Sequence, residues 1–221
     1  MIIGELLQSC ISVLLPMRCI SCNTRPATYP LPICSSCKNN LLGYKPPRSL
    51  SSENLKTIFS CRAYEGTIRE CIKTFKYYGN MELLKVFREI ISGFLSSPRV
   101  FSSDIDLVLP VPMYSGRRYT RGYNQAELIS RLVCSETRLP SKSSILIKTK
   151  DTASQMSLSR SERIKNLKHS FVVADRLSIT GKSILLVDDI ITTGATLEAC
   201  ARELLCSGAR SVEAFTMART L

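Results

Sequence analysis

Apolar residues recur at intervals of three and four positions in several stretches of the chain, which is the pattern of amphipathic helices. The strongest apolar stripe lies within residues 81–95, where Phe87 and Phe94 fall on one face. A second stripe covers residues 66–78 and is followed by Gly79, a residue typical of a helix C-terminus. The predicted helices are residues 66–78, 81–95, 123–134 and 197–206.

Short apolar runs between these helices predict β-strands. Residues 184–187 form a continuous apolar run, the pattern of a strand that is buried on both faces. We expect Pro110 to stop the strand before it, because proline cannot donate a hydrogen bond to a neighbouring strand. The predicted strands are residues 105–109, 145–147, 184–187 and 212–217. Since strands and helices alternate, the sequence predicts an α/β domain built on a parallel sheet.

The composition divides the 221 residues into three parts. Residues 1–44 contain an apolar N-terminal stretch and four closely spaced cysteines. Residues 45–60 are rich in polar residues and proline, which indicates a linker, and residues 61–221 contain the α/β pattern. We expect the first and last parts to fold around separate cores.

The first 17 residues are apolar enough to raise the question of a membrane. Their earliest charge is Glu5, without the basic segment or small-residue cleavage site of a signal peptide. No stretch reaches the roughly 18 uncharged apolar residues that a membrane-spanning helix needs. The spacing predicts an amphipathic helix packed on the protein, with attachment to a membrane surface as the alternative. We therefore expect a soluble, cytoplasmic protein.

Four of the ten cysteines form two CxxC pairs separated by eleven residues, namely Cys19, Cys22, Cys34 and Cys37. Two such pairs can present four thiolates to one tetrahedral Zn²⁺ ion. The alternatives are two unrelated pairs or a redox site, but a redox CxxC follows a strand and begins a helix. The sequence predicts a structural zinc module. The remaining cysteines are expected to be small core residues: Cys10, Cys61, Cys71, Cys134, Cys200 and Cys206.

The net charge of +12, with a single histidine, favours anionic partners such as phosphorylated metabolites or nucleic acid. Residues 117–168 contain twelve Lys and Arg against four Asp and Glu, and therefore carry +8 of this charge. Apolar residues are sparse within residues 148–168. This segment is either a solvated flexible surface or a mobile lid over an anionic ligand.

The candidate chemistry is densest in the segment LLVDDIITTGATL at residues 185–197. A buried strand delivers Asp188 and Asp189 at its carboxyl end, where open α/β sheets bind ligands. A glycine-containing turn then begins a helix and can hold a phosphate with backbone N–H groups and hydroxyls. The residues of this turn are Thr192, Thr193, Gly194, Ala195 and Thr196. Carboxylates beside a phosphate-binding turn suit a sugar phosphate, whereas the alternative is a plain strand–turn–helix with acidic caps.

This segment resembles the phosphoribosyl-pyrophosphate (PRPP) motif of type I phosphoribosyltransferases. Together with the two CxxC pairs, the chain resembles the ComF family of competence-associated proteins, which join a zinc ribbon to a transferase-like domain. Further matching segments follow in the order of that family: FKYYGN, LPVP, RGYNQA, SRSERIKN and GARSVEAFTMAR. The resemblance implies that Asp188 and Asp189 bind the ribose hydroxyls of Mg²⁺-bound PRPP and that the turn binds its 5′-phosphate.

The resemblance also implies a set of basic residues near the pyrophosphate, namely Arg117, Arg118, Arg121, Lys148 and Arg163. Lys148 stands where the family commonly has arginine. Three functions remain open: a phosphoribosyltransferase, a PRPP-binding regulator without chemistry, and a DNA-uptake protein that handles single-stranded DNA. For the last, Tyr114, Tyr119 and Tyr123 lie among the arginines and could stack on bases. Neither an acceptor substrate nor a general base is identified.

Overall fold

The computed structural model describes residues 17–43, 45–97, 101, 104–151, 167 and 169–221. The expected N-terminal helix, Arg163 and most of residues 148–168 lie outside this part of the chain. The described helices are α1 (Ser35–Gly43), α2 (Gly66–Tyr78), α3 (Leu83–Leu95), α4 (Ser115–Arg121), α5 (Gln125–Thr137) and α6 (Ala195–Cys206). The described strands are β1 (Ile58–Ala63), β2 (Leu107–Pro110), β3 (Leu146–Lys148), β4 (Phe171–Val173), β5 (Ser183–Ile191) and β6 (Ser211–Arg219).

Four strands form a parallel sheet in the order β1-β6-β5-β2, which confirms the predicted α/β class. In this sheet Asp188 of β5 lies opposite Thr216 of β6, and Ile191 lies opposite Arg219. Strands β3 and β4 pair antiparallel in a separate two-stranded ribbon. Because all four strands of the main sheet run the same way, their carboxyl ends meet at one edge.

Helix α2 has the bounds that its apolar stripe predicts. Ile68, Cys71, Ile72 and Phe75 are buried on one face, and Gly79 follows the helix with φ of 66°. Glycine adopts this left-handed conformation without steric cost, so the helix ends there. Helix α3 begins two residues later than expected and buries its stripe in the same core.

The first strand overlaps the stretch expected to be a linker. Ile58, Phe59 and Ser60 are buried in β1, where Phe59 lies opposite Phe215 of β6. The residues before them are polar and rich in proline, so the composition of the whole stretch did not indicate this short apolar run. Residues 58–60 therefore belong to the sheet. The linker predicted at residues 45–60 ends before residue 58.

The cysteine module and the α/β domain share one core, so the expectation of separate cores is wrong. Cys19, Ile33 and Leu41 belong to the same apolar cluster as the buried stripes of α2 and α3. Arg62 of β1 is buried and donates from Nε to the carbonyl oxygen of Leu41 at 2.9 Å. The guanidinium thus satisfies a carbonyl near the end of α1 and joins the module to the sheet.

Two further expectations differ from the structure. Strand β2 ends at Pro110, one residue later than the predicted end, because β2 is at the end of the strand order, where proline is tolerated. Cys206 is exposed, although Cys61, Cys71 and Cys200 are buried as expected and Cys134 is half-buried. Cys10 lies outside the described residues. Within the described ranges, no helix has the length and apolar character to cross a membrane.

Candidate functional site

Two adjacent carboxylates lie near the carboxyl end of β5, as the sequence predicts. Asp189 is buried, and its backbone N–H donates to Oδ1 of Asp188 at 2.8 Å. Burial and the nearby Asp189 charge raise the pKa of Asp188 to about 8. Without a ligand, the Asp188 carboxyl is therefore largely protonated at neutral pH. A ligand that donates hydrogen bonds or brings positive charge would favour its ionised form.

Lys76 of α2 supplies a positive charge to this pair. Its Nζ lies 3.2 Å from Oδ2 of Asp189. Burial opposes the charged ammonium group, but the charges of Asp189 and Asp188 raise the pKa of Lys76 above its ordinary value. Lys76 has no role among the expectations from the sequence. The sequence does contain a hint of a role for Lys76. Lys76 follows Ile72 by four residues, so a charged side chain lies on the apolar face of the helix.

Tyr64 is a further residue of the site, within electrostatic range of Lys76 and Asp189. It follows β1, and its pKa is raised by burial, with the charges of Lys76 and Asp189 acting in opposite directions on it. Its backbone N–H donates to the carbonyl oxygen of Arg219 at 2.6 Å. Tyr64 could not be assigned to the site from the sequence, because it lies far along the chain from the two aspartates and the parallel sheet brings them together.

The turn that precedes α6 has the geometry of an anion-binding loop. Gly194 adopts φ of 77°, a conformation that side chains disfavour, and α6 begins at Ala195. Thr193 Oγ1 accepts weakly from the Ala195 N–H at 3.4 Å, and Thr192 is exposed. The N–H groups of the first helical turn, which have no carbonyl partners within the helix, therefore lie directly after the carboxylate pair.

Two of the predicted pyrophosphate residues, Arg117 and Lys148, lie close together, and Lys148 is within electrostatic range of Asp188. Arg117 Nε contacts Asp151 Oδ1 at 3.0 Å, and Lys148 Nζ lies 5.6 Å from the centre of the Phe171 ring. Burial and then the charge of Arg117 lower the pKa of Lys148, against the opposing charges of Asp151 and Asp188. The structure thus brings Lys148 into electrostatic contact with both Arg117 and Asp188.

The other two described arginines of the predicted set have protein partners. Arg118 contacts Glu127 at 3.1 Å. The Arg121 guanidinium lies 5.7 Å from the centre of the Tyr77 ring and donates to Gln125 Oε1 at 3.0 Å. Arg163, the fifth member of the set, lies outside the described residues.

The four cysteines of the two CxxC pairs converge as a zinc site requires. Their sulfur atoms all lie within 4.8 Å of one another, and Sγ of Cys22 is 4.0 Å from Sγ of Cys34. Zn–S bonds of about 2.3 Å in a tetrahedron place sulfurs about 3.8 Å apart. The backbone N–H of Cys37 also donates to Sγ of Cys34 at 3.5 Å. This donor set fits one structural Zn²⁺ ion held by Cys19, Cys22, Cys34 and Cys37.

Comparison with known families agrees with this site. A family model described as a phosphoribosyl transferase domain matches residues 126–220, a range that contains the carboxylates, the turn and β6. Competence protein F of Haemophilus influenzae is 35% identical over 115 residues, which are 52% of this chain and 50% of the relative. Competence protein ComFC of Bacillus subtilis is 31% identical over 162 residues, which are 73% of this chain and 63% of the relative.

This chain is similar to competence proteins F and ComFC, and its residues 126–220 match a phosphoribosyl transferase domain. DNA utilization protein YhgH of Escherichia coli K12 is 34% identical over 116 residues, 52% of this chain and 50% of the relative. The chain thus spans about half the length of several curated relatives that it matches. An adenine phosphoribosyltransferase structure from Leishmania tarentolae covers 82% of this chain and 87% of its own, at 13% identity and a TM-score of 0.40. A likeness this distant carries no argument about function.

Proposed function

We propose that this protein binds Mg²⁺-PRPP at the carboxyl edge of its sheet. The observation that carries the proposal is the half-buried Asp188 beside the buried Asp189, followed within three residues by the turn at residues 192–196. Ribose 2′- and 3′-hydroxyls would donate hydrogen bonds to the carboxylates, and the N–H groups of the turn would bind the 5′-phosphate. Binding would thereby ionise Asp188, whose pKa is high in the ligand-free protein.

The basic residues of the site suit the pyrophosphate end of the same ligand. Lys148 lies within electrostatic range of Arg117 and of Asp188, so its positive charge would be available to the pyrophosphate beyond the ribose. Mg²⁺ prefers oxygen ligands, which the site carboxylates and the diphosphate both offer, and it would neutralise the leaving group. In a transfer reaction these side chains would stabilise the charge that develops on departing pyrophosphate.

A transferase and a PRPP-binding regulator would share this binding site and differ only in chemistry. His169, the single histidine, is exposed and lines a different cavity with Cys206, so we assign it no catalytic role. The proposal therefore names no general base and no acceptor. Release of pyrophosphate in the presence of candidate acceptors distinguishes the two functions.

Titration calorimetry with Mg²⁺-PRPP tests the binding proposal. The wild-type protein is expected to bind, and the double variant Asp188→Asn with Asp189→Asn is expected to lose binding while it stays folded. Asp175→Asn is the matched control, because Asp175 is an exposed carboxylate whose partner is Ser178. The proposal fails if the wild-type protein does not bind, or if the double variant binds like the control.

A second candidate function, binding of single-stranded DNA, rests on an exposed aromatic and basic surface. Tyr77, Tyr78 and Tyr119 are largely exposed, and Arg121 stacks over Tyr77. Bases of a single strand stack on such side chains, and arginines attract the backbone. Tyr123 does not belong to this surface, because it is half-buried and its hydroxyl donates to the Phe75 carbonyl oxygen.

Relatives named for competence and DNA utilization agree with a role in DNA uptake. Cysteine ligands for zinc agree with a reducing, cytoplasmic location.

A further inference from the structure

A cavity of about 970 Å³ borders the turn that precedes α6. Its opposite wall is the segment of residues 50–55, and its floor includes Ile58, Ile191 and Arg219 at the strands β1, β5 and β6. Thr192 and Thr193 present polar atoms to the same space. The volume is at the upper end of the range of ligand sites, which is roughly 300–1,000 Å³.

The wall of this cavity is fixed by Glu198 in the first turn of α6. Its carboxylate accepts from Ser52 Oγ at 2.5 Å, from Asn54 Nδ2 at 2.6 Å and from the Asn54 N–H at 3.0 Å. Three donors thus occupy the carboxylate of Glu198. Among the residues that the structure describes, no salt bridge joins Glu198 to an arginine of the cavity.

Arg219 is the unusual residue of this cavity. It ends β6, it is among the residues that line the cavity, and only 9% of the residue is exposed. Its Nε and Nη1 atoms are buried and have no hydrogen-bond partner within the described ranges. Burying a guanidinium group without a partner is costly, and buried polar groups in folded proteins are almost always paired. This arrangement indicates that the partner of Arg219 is an anionic ligand.

The register of the sheet sets where that anion would lie. Arg219 is opposite Ile191, the last residue of β5, and the next residue, Thr220, donates from its N–H to the Ile191 carbonyl oxygen at 3.0 Å. The turn at residues 192–196 begins directly after Ile191. The guanidinium and the first N–H groups of α6 therefore border one space, and both attract negative charge.

We propose that Arg219 binds the phosphate monoester of the ribose-phosphate ligand, together with the turn at residues 192–196. This inference rests on the proposed function and adds to it a binding residue from a distant part of the sequence. A planar guanidinium group can donate two parallel hydrogen bonds to one phosphate, which a lysine cannot do. Arg219 would then find in the ligand the partner that it lacks in the protein.

Arg219→Met tests the proposal, with ribose 5-phosphate, Mg²⁺-PRPP and pyrophosphate as the probes in titration calorimetry. The variant is expected to lose at least about tenfold in affinity for ribose 5-phosphate. Its affinity for pyrophosphate is expected to stay unchanged, since that ligand would bind near Lys148. Arg202→Met is the matched control, because Arg202 lines the same cavity but is exposed, and we expect it to change affinity by less than about twofold.

Thermal unfolding without ligand separates a binding role from a structural one. Removing an unpaired buried charge is expected to leave the unfolding midpoint of Arg219→Met unchanged or higher than that of the wild-type protein. A lower midpoint together with unchanged affinity for ribose 5-phosphate would make Arg219 a structural residue and overturn the proposal. If Arg219→Met does not fold, Arg219→Lys decides: weaker binding of ribose 5-phosphate with unchanged pyrophosphate binding supports the proposal, and unchanged binding of both overturns it.

Failure of this inference can be told apart from failure of the proposed function. If the wild-type protein binds Mg²⁺-PRPP and Arg219→Met binds it equally well, only the role of Arg219 is wrong. If the wild-type protein binds neither Mg²⁺-PRPP nor ribose 5-phosphate, the proposed function and this inference are both wrong.

Discussion

Single residues of the site carry charges that the ligand-free protein only partly compensates. Lys76 lies against Asp189, but Asp188 has no cation at a comparable distance among the described residues, and its pKa is raised. Arg219 lies buried without a partner in the same part of the chain. Charged groups held in this way reduce the stability of the empty protein and increase the gain when a ligand binds.

The raised pKa of Asp188 predicts a pH-dependent stability in the ligand-free protein. The folded state holds the proton up to a pH of about 8, whereas the unfolded state releases it near its ordinary, acidic pKa. Stability should therefore fall as the pH rises through this interval, because the folded state binds more protons. Asp188→Asn removes the titrating group and is expected to raise the unfolding midpoint at a pH of about 9 by at least about 3 °C.

Calorimetric scans without added Mg²⁺ or ligand measure this difference. The gain of Asp188→Asn over the wild-type protein should shrink as the pH is lowered to about 4, near the ordinary pKa of an aspartate, because Asp188 is then protonated in the folded state and increasingly protonated in the unfolded state. Asp175→Asn is again the control, since Asp175 is exposed. A gain that is equal at all pH values would mean that burial does not raise the pKa of Asp188.

At the scale of elements, the sequence predicts the helices with long apolar stripes and the buried strands well. The residues of helix α2 and of strand β5 are enough to predict these two elements. The candidate site could be predicted as well, because its aspartates and its turn lie at the end of β5. Strand β1 was missed because its apolar run is short and follows polar residues, and α4 because its seven residues bury no side chain. Lys76 and Arg219 reach the site only through the fold, so no local pattern could assign their roles.

The shared core makes the cysteine module and the α/β domain one cooperative unit. Cys34→Ser is expected to reduce the zinc content from about one ion per chain and to lower the midpoint of a single unfolding transition. The reason is that zinc supplies folding energy to residues packed against α2 and α3. Zinc analysis and scanning calorimetry measure both effects, with Cys206→Ser as the control because Cys206 is exposed.

Two separate transitions would contradict this expectation. If Cys34→Ser lowers one transition and leaves a second at the temperature of the wild-type protein, the module unfolds independently despite its packing. An absence of zinc from freshly reduced wild-type protein would remove the metal site itself.

At the scale of the whole molecule, the net positive charge would attract both proposed anionic ligands, Mg²⁺-PRPP and single-stranded DNA. Residues 117–168 carry most of the net charge of +12, and the part that the structure describes includes Lys148, within electrostatic range of Asp188, and the neighbouring Arg117. Arg121 and Tyr77 form the exposed stacking surface at the end of α2, one residue from Lys76. The surface proposed for DNA therefore adjoins the site proposed for PRPP.

This adjacency predicts that single-stranded DNA and Mg²⁺-PRPP compete. DNA should bind without strong sequence preference, and its affinity should fall at least about tenfold between about 50 and about 200 mM salt as counterions are released. Arg117→Glu combined with Arg121→Glu should weaken both ligands, because each substitution reverses a charge beside the shared surface. Fluorescence anisotropy with a labelled oligonucleotide, and calorimetry for Mg²⁺-PRPP, measure the two affinities.

The matched control is Arg18→Glu with Arg25→Glu, which makes the same change of charge on the cysteine module. If the control weakens DNA binding and the first pair does not, DNA binds the module. If no DNA binds at low salt, the positive charge serves the phosphate ligand alone.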